Sequence, residues 1–394
     1  MKIKNSIFYL LNFIVLVTII YLLSQKTIFS KTLVWSTWSF SELLIYYPEN
    51  IFVRRGLLGE IFLFFANENA VLPVIQNFVF YNFLLLILLS SITLYIYRVG
   101  IYQYFLFLLS AFGFFNLVLH DLSYHRKEIL ALNFFLTFLI LKKFDNSLKI
   151  QLINIVYLFI STLILSLIHE GMVLMFFPFY YVLLKNIETD FGFKNIRNFY
   201  FIFTISTIII LVLNSGSSEI STIMFNNLHP EDKVIFKDYS VDAIRAIGWS
   251  LKRALILPIR IWLSGNAFYW LYVLFLIAFT NYIILFNNNF EKFKNLIVNF
   301  HKDNPVLLIT YSIFFIGWDW GRWFIVLNYL YLFTFTFLNY KSNHKYDTNY
   351  SIFPVLIFIV MSLLTIVPEC CLAWTDPRIF NILENYIGEI KINY

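Results

Sequence analysis

Runs of about 20 apolar residues, separated by short polar connections, recur from one end of this 394-residue chain to the other. They fall near residues 6–23, 72–97, 101–119, 129–141, 150–168, 171–184, 199–213, 267–286, 305–317, 323–339 and 351–368. Lipid offers no hydrogen bonds to a polypeptide backbone, so such runs are read as helices that satisfy their own amide groups. A transmembrane β-barrel would instead show short alternating segments between turns, and the chain has none. The pattern predicts an all-α, polytopic integral membrane protein of about 11 transmembrane helices, folded as one membrane domain over residues 1–394. Two long segments containing polar residues interrupt it, 24–71 and 214–266. No internal repeat and no separate soluble domain is visible.

Composition agrees with the pattern: 60% of residues are hydrophobic and only 13% charged. That excludes an ordinary soluble domain, in which about a quarter of the residues are charged. The net charge of +6 therefore points to lysines that set membrane topology, with no nucleic-acid partner. The two cysteines, Cys370 and Cys371, are adjacent, so they build neither a disulfide framework nor a metal quartet. Lys2 and Lys4 ahead of an apolar run resemble a signal peptide, but no A-x-A-like cleavage site follows. The run is read as a retained first helix.

Alternating the spans from a cytoplasmic N-terminus collects the lysine-rich connections on one side. These carry Lys2 and Lys4, then Arg98, then Lys142, Lys143 and Lys149, and then Lys185, Lys194 and Arg197. Lys292, Lys294 and Lys302 follow, and finally Lys341 and Lys345. One register thus satisfies the positive-inside rule throughout. Every unusual polar cluster then falls on the opposite, outer side. Span length adds depth to this assignment. Only 13 residues separate Glu128 from Lys142, and 14 separate Glu170 from Lys185. At 1.5 Å per residue each run covers roughly 20 Å, short of a hydrocarbon core of about 30 Å. Arg126–Glu128 and His169–Glu170 are therefore expected below the outer surface, where polar groups need partners or a water-filled cavity.

The densest titratable stretch is His120-Asp121-Leu122-Ser123-Tyr124-His125-Arg126-Lys127-Glu128. If helical, it puts Asp121, His125 and Glu128 on one face, with Arg126 an anion ligand and Asp121 an acid or base; a capped helix start is the alternative. Arg54-Arg55-Gly56 offers two guanidiniums beside a residue that permits close backbone approach, which suits a pyrophosphate. The alternative is an interfacial helix with Glu60 as the arginines' partner. His169-Glu170-Gly171 is a candidate general base or else a polar hairpin turn. Asp319 and Arg322 are spaced i, i+3 among tryptophans, so Asp319 orients Arg322 toward a phosphate while Trp320 or a neighbour stacks on sugars, or the group is an interfacial belt with a local ion pair. In the 214–266 loop, Arg245, Lys252, Arg253 and Arg260 share one stripe if the segment is a basic amphipathic helix, a binder of lipid headgroups or of lipid-linked phosphate.

The chain has no P-loop, no G-x-G-x-x-G, no H-E-x-x-H and no D-x-D pair, so neither a cofactor nor a metal is expected. In its length, span number, enlarged outer loop and scattered outer Arg, His, Glu and Asp, the chain resembles the O-antigen polymerases of Gram-negative bacteria, the Wzy class. Arg253-Ala-Leu-Ile-Leu257 resembles an Arg-x-x-x-Leu feature of the large loop in O-antigen ligases and related polymerases. The resemblance implies a multi-pass protein of the bacterial inner membrane with a periplasmic active site. Its partners would be undecaprenyl-pyrophosphate-linked glycans, membrane lipids and a chain-length regulator protein. It implies catalytic roles for Glu170, His169 or Asp121 as base, and substrate-binding roles for Arg54, Arg55, Arg126, Arg253, Asp319, Arg322 and Trp320. The alternatives are a flippase for lipid-linked repeat units and a polytopic acyltransferase acting on surface polysaccharide.

Overall fold

The structure, a computed structural model, describes residues 2–29, 37–119, 124–144, 147–191, 195–214, 216–235, 243–249, 256, 259, 266–286, 289–316, 320–341, 352–365 and 367. The protein is all-helical, with eighteen α-helices traced and no strand among these residues. Six segments are long and apolar enough to cross a membrane: α4 (Leu72–Ile96), the broken pair α5 and α6 (Ile101–Leu109 and Phe114–Leu119), α8 (Leu148–Ile168), α10 (Ile196–Leu213), α14 (Asn266–Phe286) and α17 (Trp320–Lys341). The other five apolar runs are also helical. They form α1 (Lys2–Lys26), α7 (Glu128–Lys143), α9 (Glu170–Phe191), α16 (Leu308–Ile316) and α18 (Ile352–Leu364). These are shorter, or carry charged ends, so the described residues supply six clear spans against the eleven expected.

Packing follows from which helices are apolar on every side. α17 has no polar stripe, and nearly all of its side chains from Trp320 to Phe337 are buried, so it forms the axis of the bundle. α14 packs along it, while α4 and α7 pack on each other and α9 packs against α8, α10 and α16. α7 and α17 run in the same direction. Their far ends meet where Lys143 Nζ stands 3.8 Å from the Tyr340 ring, with Arg98 over the same ring. Their near ends carry Glu128 and Arg322, 3.2 Å apart. The bundle thus has a lysine-bearing end and an opposite end rich in paired charges.

Four features depart from the sequence pattern. The run 101–119 is interrupted at Ser110–Gly113, where a Cβ on Gly113 would meet the carbonyl oxygens of Leu108 and Phe107 at 2.4 and 2.5 Å. Asn116 Nδ2 donates to Ser110 O at 2.7 Å and so recaptures a carbonyl that the break releases. α7 starts only at Glu128, so His125 lies in a turn and shares no helical face with Glu128. The short helix α13 (Ala243–Ala246), which carries Arg245, ends in a turn at Ile247–Gly248, while the other cations of the expected stripe, Lys252, Arg253 and Arg260, lie outside the described residues. Lastly, the lysine-rich connection 290–303 is itself an amphipathic helix, α15 (Phe290–Asp303), burying Phe293 and Phe300 and exposing its lysines.

The two polar segments fold onto each other over the charged end. The first holds α2 (Thr37–Leu43) and α3 (Leu57–Ala66); the second holds α11 (Ser218–Asn226), α12 (Pro230–Ile235) and α13. Tyr46 Oη donates to Met224 O at 3.2 Å, the Arg54 amide donates to Asn214 O at 3.2 Å, and Ser41 Oγ accepts from the Ala243 amide at 2.8 Å. The Asp232 carboxylate accepts from the amides of Val71 and Leu72 at 2.9–3.2 Å. Those amides open α4, so a residue of the second segment caps a helix that follows the first.

Candidate functional site

The charged end is organised by Glu42, a residue that no motif or spacing in the sequence singles out. α2 is only seven residues long, and Ser39 to Leu43 are all buried, so the helix is enclosed on every side and Glu42 with it. Arg126 and Arg322 each donate from Nη1 to Glu42 Oε2 at 2.8 Å. Lys127 Nζ lies 3.3 Å from the other carboxylate oxygen, and also donates to Ile168 O at 3.2 Å. The side chains of Glu42, Arg126, Lys127 and Arg322 are only 1–5% exposed. Burial pushes the Glu42 carboxyl up, but Arg322, Lys127, the His169 hydrogen bond and Arg126 together outweigh it and hold the group well below the usual carboxylate range. Burial also pulls Lys127 down to about 8, against the pull of Glu42. Glu128, in the first turn of α7, gives Arg322 a second carboxylate.

A second, more open tier sits beside the first. Arg55 donates from Nε and Nη2 to both oxygens of Glu170, at 2.5–3.2 Å, and Arg54 Nη1 adds a bond of 3.1 Å. These side chains are 22% exposed for Arg54, 25% for Arg55 and 15% for Glu170, several times the exposure of the inner group. The loop that presents the arginines is constrained. Arg55 has a φ of +69°, a left-handed conformation that costs a non-glycine residue energy. Gly56 next to it leaves no room for a Cβ, which would strike the Tyr47 ring at 2.2 Å. Glu60, which the sequence offered as a partner for the arginines, instead accepts from the Tyr47 amide at 2.6 Å.

His169 joins the tiers. Its Nδ1 accepts from the Gly171 amide at 3.0 Å, which leaves the proton of a neutral ring on Nε2, 3.4 Å from Glu42 Oε1. Nδ1 also lies 3.9 Å from Glu170 Oε2. Burial and the nearby cations Arg55 and Lys127 depress the imidazole to about 3, so it is neutral across the physiological range. The Trp323 ring packs edge-on to it at 5.6 Å and lies 5.0 Å from the Arg322 guanidinium. Among the described residues, the two tiers hold five cations (Arg54, Arg55, Arg126, Lys127, Arg322) against three carboxylates (Glu42, Glu128, Glu170), a surplus of two positive charges.

Of the residues singled out in the sequence, the structure therefore brings together Arg54, Arg55, Arg126, His169, Glu170 and Arg322. Asp121, Arg253 and Asp319 lie outside the described residues. Trp320 does not join them. It stands two residues from Arg322, about 200° around the helix, and packs against Trp270 at 6.0 Å and Phe314 at 5.7 Å. There it lines an apolar groove of about 200 Å³ on the opposite face of α17, so the aromatic ring at the charged site is Trp323. His125 stands apart too, its Nε2 3.0 Å from Ser39 Oγ. No group of three or more His, Cys, Asp or Glu arranged to hold a metal occurs among the described residues.

No protein-family model, curated protein or solved structure matches this chain.

Chemically, the arrangement has the donor groups that an anion receptor needs. Several guanidiniums gathered at one place suit an anion, because guanidiniums bind phosphate oxygens in pairs. The low-dielectric surroundings make each such contact stronger than it would be in water.

Proposed function

We propose that this protein is a glycosyltransferase of the O-antigen polymerase kind, facing the periplasm from the bacterial inner membrane. It would join oligosaccharide repeat units carried on undecaprenyl pyrophosphate into O-antigen. What carries the reading is the gathering of Arg54, Arg55, Arg126, Lys127 and Arg322 at one end of a bundle of apolar helices, with the most exposed of them, Arg54 and Arg55, on the open side. The lysine-rich connections lie at the other end, which by the positive-inside rule is cytoplasmic. On that topology ATP and nucleotide sugars are out of reach, and a donor already activated on a lipid is the fitting substrate.

In the proposed reaction the bond between the anomeric carbon and the pyrophosphate oxygen breaks, and pyrophosphate leaves with the electron pair. Its developing charge is balanced by Arg54 and Arg55, with the buried field of Arg126, Lys127 and Arg322 behind them. An acceptor hydroxyl of the incoming repeat attacks the carbon and gives up its proton to a carboxylate. Glu170 and Asp121 are the candidates. His169, neutral and with Nδ1 accepting from the Gly171 amide, has no free lone pair for the acceptor's proton and serves instead to pack between the two tiers, its Nε2 3.4 Å from Glu42 Oε1. Arg253, Asp319 and a chain-length regulator protein keep the roles that the resemblance implies.

The alternative transporter reading calls for charges lining a path through both halves of the membrane and for internal repeats. The paired charges described here gather at one end instead. Deleting the gene separates the readings on a polysaccharide gel. Loss of a polymerase leaves lipid A-core capped by a single repeat unit, loss of a flippase leaves no repeat, and loss of an acyltransferase leaves the ladder with altered decoration. Arg322→Ala and Glu170→Gln, at normal protein level, are expected to give the single-repeat pattern; a normal ladder from both would sink the site.

A further inference from the structure

The two tiers differ in more than exposure. In the inner tier one carboxylate, Glu42, is shared by two arginines, a lysine and a histidine, all sealed from solvent. Its partners come from the starts of α7 and α17 and the turn before α7, so a ligand has no open route to it. In the outer tier one carboxylate, Glu170, occupies the two guanidiniums that a ligand could reach. Its bidentate bond to Arg55 copies the geometry with which a guanidinium takes two oxygens of a phosphate. The loop that brings Arg55 there is held at a left-handed φ, a conformation retained where surrounding contacts over-determine it.

We propose that Glu170 is a placeholder anion: the diphosphate of the substrate displaces its carboxylate from Arg54 and Arg55, and only the displaced carboxylate is free to accept a proton. This rests on the transferase reading for the identity of the anion and goes beyond it in giving the site an order of events. Paired to two guanidiniums, a carboxylate is a weak base. Once the diphosphate takes over those donors, Glu170 keeps its negative charge beside a new anion, and its proton affinity rises. The base is thus armed when the donor is seated and disarmed when the site is empty. The exchange preserves charge pairing at the arginines. It also leaves the inner tier untouched, which fits the division between a sealed frame and an accessible pair.

Inorganic pyrophosphate binding to the full-length protein in nanodiscs tests the exchange without requiring turnover. Glu170→Gln removes the competing charge while keeping the shape, so it is expected to bind pyrophosphate about tenfold more tightly than the natural protein, the fold-change of no longer having to break one charge-assisted hydrogen bond. Glu170→Asp, whose carboxylate falls one methylene short, is expected to lie between the two, and it serves if the Gln variant does not fold. Arg54→Ala is expected to bind more weakly. Equal or weaker binding by both Glu170 variants overturns the proposal and makes Glu170 a scaffold for the arginines; no pyrophosphate binding by any form overturns it as well. The expected ranking without any transfer of lipid-linked glycan would leave the exchange standing and remove the transferase reading. Transfer together with the reverse ranking would do the opposite.

Discussion

Replacing Glu42 by Gln probes the frame on which the rest of the site depends. The perturbation keeps the volume and removes one negative charge that faces Arg126 and Arg322 at 2.8 Å and Lys127 at 3.3 Å. At an effective dielectric of about 20, a pair of unit charges at 2.8 Å attracts by about 6 kcal/mol. Desolvation of the buried ions offsets most of that, and removing one partner of a buried pair costs about 3–5 kcal/mol, because it strands the others without compensation. With about 2 °C of Tm per kcal/mol for a large domain, the variant should melt about 6–10 °C lower. Thermal unfolding of detergent-solubilised protein, followed by size-exclusion chromatography of the surviving fraction, gives the number. The double variant Glu42→Gln/Arg126→Met should recover part of the loss, since one stranded cation is gone. A Tm for Glu42→Gln within about 2 °C of the natural protein would refute the reasoning, and with it the claim that the inner tier is a fixed frame.

Three further predictions follow the same physics. His169 is neutral in the fold down to about 3, whereas its unfolded value is 6.5, so below pH 6.5 the unfolded chain binds a proton that the fold refuses. Stability should therefore fall as pH drops from 6.5 toward 3, by up to about 1.4 kcal/mol per pH unit from this residue; Glu42, held low, adds its own loss only as pH falls below the unfolded value of 4.5. Melting curves at pH 7 and 5 should differ less for His169→Gln than for the natural protein, and an equal difference would remove His169 as the source. Gly59→Ala would drive a Cβ to 2.1 Å from Ile45 O, so α3 must move off its neighbour at a cost of about 1–3 kcal/mol, visible as reduced Tm and lower yield from membranes. Asp232→Ala uncaps α4 and costs about 0.5–2 kcal/mol. It also unties α12 from the first polar segment, so limited proteolysis near residues 227–235 should accelerate, and an unchanged cleavage rate would argue against the tie.

Much of the helical layout was legible in the sequence because lipid makes the apolar run the unit of structure, and each run from 6–23 to 351–368 contains helix among its described residues. Boundaries and interruptions were harder. Nothing in an unbroken apolar stretch marks Ser110–Gly113 as a break, since its cause is a close backbone approach at Gly113 that only the fold reveals. The amphipathic α15 was hidden for the opposite reason: its lysines read as topology signals and drew attention from its buried Phe293 and Phe300. At the site, the arginines, His169 and Glu170 stood out because charge is rare in such a chain and because short spans implied that they lie deep. Their pairing was not legible. Arg54 and Arg55 meet Glu170 across 115 residues or more, and Arg322 meets Glu42 across 280, separations that no local spacing encodes. Glu42 itself was invisible, a lone carboxylate in a short helix whose place as the hub is decided wholly by tertiary contacts. Trp320 misled in another way: helical geometry turns it away from Arg322, and telling it from Trp323 needed the register of α17.

The most direct test of the central claim is turnover by the purified protein in proteoliposomes supplied with an undecaprenyl-pyrophosphate-linked repeat unit. The account predicts a ladder of lipid-linked oligomers, with one undecaprenyl pyrophosphate released per linkage formed, and loss of that ladder in Arg322→Ala. Repeat units that cross the bilayer without elongation, or remain unchanged, would contradict it.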